Sequence, residues 1–139
     1  MGLRHTKPDF IYSTQFTIEG WIKRGGNNYI VDMGKLIGGQ LQLKPEQLER
    51  SVDIYMACAR TFEYIISFEI PQCYKAEGLD KLAVNTTNQT GSFIADAKQE
   101  GNTIKLKITK IYNSAFERAD KWPKLIEILN AANDFQSKK

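Results

Sequence analysis

The longest regular pattern in this chain runs over residues 60–70. Phe62, Tyr64, Ile66, Phe68 and Ile70 alternate with Thr61, Glu63, Ile65, Ser67 and Glu69. A period of two gives one apolar face and one mostly polar face, the signature of a strand half-buried on a core. Pro71 ends the run, because proline cannot donate to a strand ladder. Ser92–Lys98 turns Phe93, Ala95 and Ala97 to one face, and Thr103–Thr109 turns Ile104, Leu106 and Ile108 inward with Lys105 and Lys107 outward. Gln99-Glu100-Gly101-Asn102 joins these runs into a predicted hairpin. Lys110-Ile111-Tyr112 breaks the alternation and reads as a bulge or a strand end.

Weaker alternation predicts further strands. Thr14–Arg24 places Phe16, Ile18, Gly20 and Ile22 inward, with Gln15, Thr17, Glu19, Trp21 and Lys23 outward. Gly25-Gly26-Asn27-Asn28 supplies the positive φ of a tight hairpin, and Tyr29–Met33 returns from it. Residues 34–39 read as a turn-rich apolar connection, Gln40–Leu43 and Val52–Met56 as short strands, and Pro45–Ser51 as room for one helical turn. Tyr74–Val84 reads as a short strand or corner around Glu77-Gly78-Leu79, and Asn85–Thr90 as a polar loop. The period changes at the end. Trp122, Leu125, Ile126, Leu129 and Ala132 recur at helical spacing, which predicts a helix over residues 121–133 with Asp120 as N-cap and Pro123 in its first turn. The expected fold is mainly β, an antiparallel Ig-like β-sandwich over residues 13–139 with one C-terminal α-helix, after a linker at 1–12.

Composition narrows the function classes. With 139 residues, 42% of them apolar, one core is the default and neither metal nor disulfide is needed to fold. A net charge of +3, mixed along the chain, is too small for a nucleic-acid surface. No run of 18 apolar residues offers a transmembrane helix, and the first dozen residues lack the apolar stretch of a signal peptide. Met1-Gly2-Leu3-Arg4-His5-Thr6 formally fits a myristoylation pattern. The polar stretch Leu3–Asp9, with Pro8, suits instead a linker from an upstream domain.

Reactive side chains are sparse. The single histidine, His5, lies in the expected linker. Cys58 and Cys73 flank a strand about 35 Å long, whereas a disulfide needs Cα atoms about 5.5 Å apart, so both are expected free and packed. Gly34-Lys35 with Gly38-Gly39 invites a phosphate-loop reading, but Leu36 stands where Ser or Thr is required. Glu63 and Glu69 share a face about 20 Å apart, beyond the reach of a glycosidase pair. Lys98, Lys105, Lys107 and Lys110 fit edge lysines that deter aggregation better than a nucleic-acid stripe. Asn85-Thr86-Thr87 and Asn88-Gln89-Thr90 are sequons that a Thr/Asn-rich loop produces by chance. The remaining signal is the outward pair Trp21 and Tyr29, able to stack on a sugar ring or dock another domain. Arg50, Tyr55 and Arg60 form either a surface or an internal polar clasp, and the clasp is expected.

Arg50-Ser51-Val52-Asp53-Ile54-Tyr55-Met56 followed by Arg60-Thr61-Phe62-Glu63 resembles the C-terminal domain of bacterial proteins, mostly from Bacteroidetes, that carry a transglutaminase-like core. This is the DUF3857/DUF3858 architecture. The likeness continues through Ile70-Pro71, Tyr74, Glu77-Gly78-Leu79, Asp80-Lys81-Leu82, Gly91-Ser92-Phe93 and Glu100-Gly101-Asn102. It closes with Ala119-Asp120-Lys121-Trp122-Pro123-Lys124-Leu125 and Asn130-Ala131-Ala132, so it spans roughly residues 14–135. It implies a β-sandwich-like accessory domain of a larger protein exported to the periplasm or cell surface. The partner so implied is the upstream catalytic domain, which holds the Cys-His-Asp machinery; none of that machinery maps here. Two departures stand out: Ala57-Cys58 replaces a frequent proline or aromatic, and no short apolar strand follows the helix. The second would leave an open sheet edge for homodimer pairing. The leading expectation is a non-catalytic docking domain with no cofactor and no metal. The alternative is a carbohydrate- or cell-wall-peptide-binding module.

Overall fold

The computed structural model describes residues 10–139, so the expectations placed on His5 and the linker residues 1–9 lie outside the described residues. The chain is mainly β and antiparallel, with one C-terminal helix. A four-stranded sheet forms its centre: β4 (Arg60–Glu69), β7 (Thr103–Tyr112), β6 (Gly91–Glu100) and β5 (Val84–Asn88), side by side in that order. Two short ribbons flank it, β1 (Ile22–Gly25) with β2 (Asn28–Val31), and β3 (Ile54–Tyr55) with β8 (Phe116–Glu117). The helix α1 (Trp122–Phe135) packs on β5 and β6.

The inner face of the sheet follows from its register. Tyr64 opposes Ile108, which opposes Ala95, which faces Val84; Ile66, Leu106 and Ala97 form the next row. Phe93, Leu106 and Ile108 are fully buried there with Ile128, Ala132 and Phe135 of α1, and Phe93 and Phe135 meet edge to face at 5.6 Å. The outer face is solvated: Lys107 pairs with Glu63 at 3.0 Å and Lys105 with Glu100. A second cluster gathers Ile54, Tyr112, Trp122, Leu125 and Leu129, and the Trp122 Nε1–H donates to the Gln47 carbonyl at 2.9 Å.

Two glycines make this packing close enough. A Cβ on Gly91 would strike the Ile111 carbonyl across the β6–β7 pair. One on Gly34 would strike the Phe135 carbonyl, where the 3-10 turn Met33–Ile37 crosses the end of α1. Asn88 at the end of β5 ties the helix down. Its Nδ2 donates to the Lys124 carbonyl and to Glu127, while its Oδ1 accepts from the buried Thr90.

Several local expectations need correction. Strand structure begins only at Ile22, and Phe16, Ile18 and Ile22, expected inward, are 68%, 41% and 53% exposed. Phe16 and Ile18 have the alternation of a strand but no sheet to lie on, and Ile22 opens a two-stranded ribbon that leaves it exposed. Gln40–Leu43 forms no strand, and Val52–Met56 contributes only Ile54–Tyr55. Asn85–Thr90 is not a loop through its length, since β5 runs to Asn88 and pairs with β6. Lys110-Ile111-Tyr112 is no bulge but does close the strand: the β4–β7 register continues to Tyr112 opposite Arg60, where β7 ends, with Lys110 occupying an inward position. Asp120 does not cap α1, whose first turn is preceded by the 3-10 turn Ala119–Lys121 with no side-chain cap. The buried helical stripe contains Ile128 and Phe135, whereas Ile126 is partly exposed. Cys58 and Cys73 are free as expected, yet exposed rather than packed.

Candidate functional site

α1 covers β5 and β6 and leaves the β4 side of the inner face less covered. Two concavities open there, one at each end of β4. At the β4 start, a recess of about 270 Å³ is lined by Arg60, Phe62, Tyr64, Lys110 and Tyr112 under the Ile37–Gln40 segment. The ladder assembles it: Arg60 opposes Tyr112 and Phe62 opposes Lys110, and all four have inward parity. Lys110 is 8% exposed, and its Nζ donates to Gln40 Oε1 at 2.8 Å and lies 5.2 Å from the Tyr112 ring centre. Gln40 is held by its own Nε2, which donates to the carbonyls of Ile37 and Gly38. The Arg60 guanidinium lies 5.5 Å from the ring centres of both Phe62 and Tyr112.

The recess is electrostatically one-sided. Among the described residues no carboxylate lines it, and neither Lys110 nor Arg60 makes an ion pair. Burial, and secondarily the nearby Arg60 charge, pulls the Lys110 ammonium below the usual lysine range. Burial raises the Tyr112 phenol, with Arg60 opposing the shift.

At the far end of β4 lies a larger cleft of about 850 Å³, mostly apolar, between the β1–β2 ribbon and the Pro71–Leu79 loop. Tyr29 and Tyr74 stand in its wall, edge to face at 5.3 Å and each about half exposed. Asp32, 3% exposed at the base of the ribbon, accepts from Lys35 Nζ at 2.8 Å, with Lys23 at 3.7 Å. The Lys35 hydrogen bond holds its carboxyl below the usual carboxylate range against the opposing cost of burial.

The structure separates the residues singled out from sequence. Trp21 accepts at its carbonyl from the Asp32 N–H, in register with β1–β2, whereas Tyr29 opposes Arg24. That parity places Trp21 and Tyr29 on opposite faces of the ribbon, so they form no joint platform; Tyr29 pairs with Tyr74 instead. Arg50 stacks over Trp122 at 5.2 Å and donates from Nε to the Val52 carbonyl. Tyr55 is 79% exposed on β3. Arg60 alone among the five enters the cationic recess. Lys110, Tyr112 and Gln40 were missed there, although continuing the alternation Ile104, Leu106, Ile108 through to Lys110 and Tyr112 would have found two of them.

Among the described residues no group of three or more His, Cys, Asp or Glu side chains converges as a metal set. Comparison with known families finds that the model of DUF3858, a domain of unknown function, matches residues 33–139. The recess lies wholly within that span, and the β1–β2 wall of the apolar cleft lies before it. Neither curated proteins nor solved structures gave a match.

Proposed function

The chain belongs to the DUF3858 family, and from that premise we propose that it is a non-catalytic accessory domain that docks a neighbouring domain of a larger exported protein. The parent in this reading is a Bacteroidetes cell-envelope protein of DUF3857/DUF3858 type, and the docked neighbour is its upstream transglutaminase-like domain. One observation carries the reading. Phe10, Ile11, Tyr12, Phe16 and Ile18 are 91%, 83%, 77%, 68% and 41% exposed on a segment without strand or helix. Five exposed apolar side chains on one nine-residue segment, interleaved with Ser13, Thr14, Gln15 and Thr17, suit an interaction surface. It leads directly into β1 and the wall of the apolar cleft.

Two measurements test this. The gene read upstream of Leu3 should encode Cys, His and Asp in transglutaminase order behind a signal peptide. In the longer chain, Phe16→Asp with Ile18→Asp should abolish the mutual stabilisation of the two domains in thermal unfolding. An upstream frame without such a domain, or unfolding transitions that ignore the substitutions, would sink the reading.

The Tyr29–Tyr74 pair supports a second reading, a carbohydrate- or cell-wall-peptide-binding module, because paired exposed rings beside a cleft suit stacking on a sugar. Here Tyr29→Ala should lose retention on a glycan array while Trp21→Ala keeps it. Equal retention by Tyr29→Ala and the parent chain removes this reading.

A further inference from the structure

We infer that the recess formed by Arg60, Lys110, Gln40 and the rings of Phe62 and Tyr112 is a binding site for the carboxylate group of a small acid. The inference stands apart from the docking role, since the recess lies at the opposite end of β4 from the ribbon and the apolar cleft.

The chemistry starts from Lys110. An ammonium buried to this degree normally has a carboxylate partner, because the desolvation of an isolated charge is costly. Lys110 has only the neutral oxygen of Gln40, which uses one of its three donors. Arg60 adds a second uncompensated cation at the mouth. Two like charges brought to one concavity destabilise each other unless an anion sits between them.

The form of the two cations selects the anion. The Arg60 fork matches the two oxygens of a carboxylate, and Lys110 supplies a point charge behind it. The cavity, about 270 Å³ and more polar than apolar at its surface, has space for one small acid, with the rings of Phe62, Tyr64 and Tyr112 left to flank its body. The Gln40 amide is pinned by the Ile37 and Gly38 carbonyls, so its oxygen stays on Lys110 and fixes where the ammonium points. The charged and titratable groups facing Lys110 are Arg60, Tyr64 and Tyr112, and no carboxylate is among them.

The carboxylate has two sources, a free small acid or the glutamate of a peptide. The test titrates lysine-labelled protein with sodium benzoate, with a blocked tripeptide carrying one central glutamate, and with sodium chloride at matched ionic strength, following the Lys110 side-chain signal by NMR. Lys110→Met identifies that signal by its loss. A saturable shift with benzoate or with the tripeptide, accompanied by a rise in the Lys110 pKa, is the expected result, and whichever ligand binds tighter names the source. Arg60→Gln should weaken binding about tenfold or more, as loss of a charge-assisted bidentate contact does. Lys107→Gln removes the same charge from the outer face and should leave binding intact. Chloride shifts equal to those of benzoate and peptide, or equal weakening by Lys107→Gln and Arg60→Gln, would overturn the inference. So would unchanged binding in Arg60→Gln.

Discussion

The two halves of the sheet's inner face are made from the same alternation and serve different ends. Over β5 and β6, α1 seals the face: Phe93, Ile128, Ala132 and Phe135 are completely buried. Over β4, the same parity yields Phe62 at 39% exposure, half-buried Tyr64, Ile66 and Phe68, and two open concavities. An alternating strand therefore specifies which side chains share a face; the element laid across that face decides whether they become core or binding surface. Stability should concentrate in the sealed half and ligand chemistry in the open half.

The largest effect expected in breaking that contrast is at Phe135. Phe135→Ala removes a fully buried ring from the contact with Phe93 and should cost about 3–5 kcal/mol in urea unfolding. Gly91→Ala places a methyl against the Ile111 carbonyl, and overpacking of this kind should cost about 1–3 kcal/mol. In the open half, Phe62→Ala should cost less than about 1 kcal/mol, because the ring is already partly hydrated. If Phe62→Ala costs as much as Phe135→Ala, the division into sealed and open halves is wrong.

Lys110→Met tests the open half from its charged side. It removes a buried ammonium while keeping an apolar stem, and should leave stability unchanged or raise it by up to about 1 kcal/mol at neutral pH. The sign with pH follows from the depressed folded-state pKa. Below that value both folded and unfolded states carry the proton and the burial cost is constant. Between the folded value and the unfolded value of about 10.4 the unfolded state holds more protons, so parent stability rises with pH. The advantage of Lys110→Met should shrink over that window.

The smallest effect is at Asp32. Its folded-state pKa is depressed, so its contribution is present above the unfolded carboxylate pKa and fades as pH falls through the folded value. Parent unfolding curves at acid pH should therefore lose a contribution that Asp32→Asn never has. Parallel acid profiles for the two proteins would show that the Lys35 contact contributes nothing.

By itself the sequence determined β4, the β6–β7 hairpin and the helix. Each carries an unbroken apolar period, and a period is local information that survives without knowledge of any partner. The same local information suggested a strand at Phe16 and Ile18, where no sheet receives it, and missed β5, whose Val84-Asn85-Thr86-Thr87-Asn88 run is held by pairing with β6 rather than by its own pattern. Of the site, only Arg60 was legible. Lys110 looked like the end of an alternation because lysine is ordinarily a surface residue; the register, with Phe62 on one side and Phe93 on the other, is what turns it inward. The opposite faces of Trp21 and Tyr29 likewise depend on which residues the ribbon pairs. Cross-strand partners and helix placement are long-range facts, fixed by how the whole chain buries its apolar faces, and they alone decide which charges end up sharing one recess.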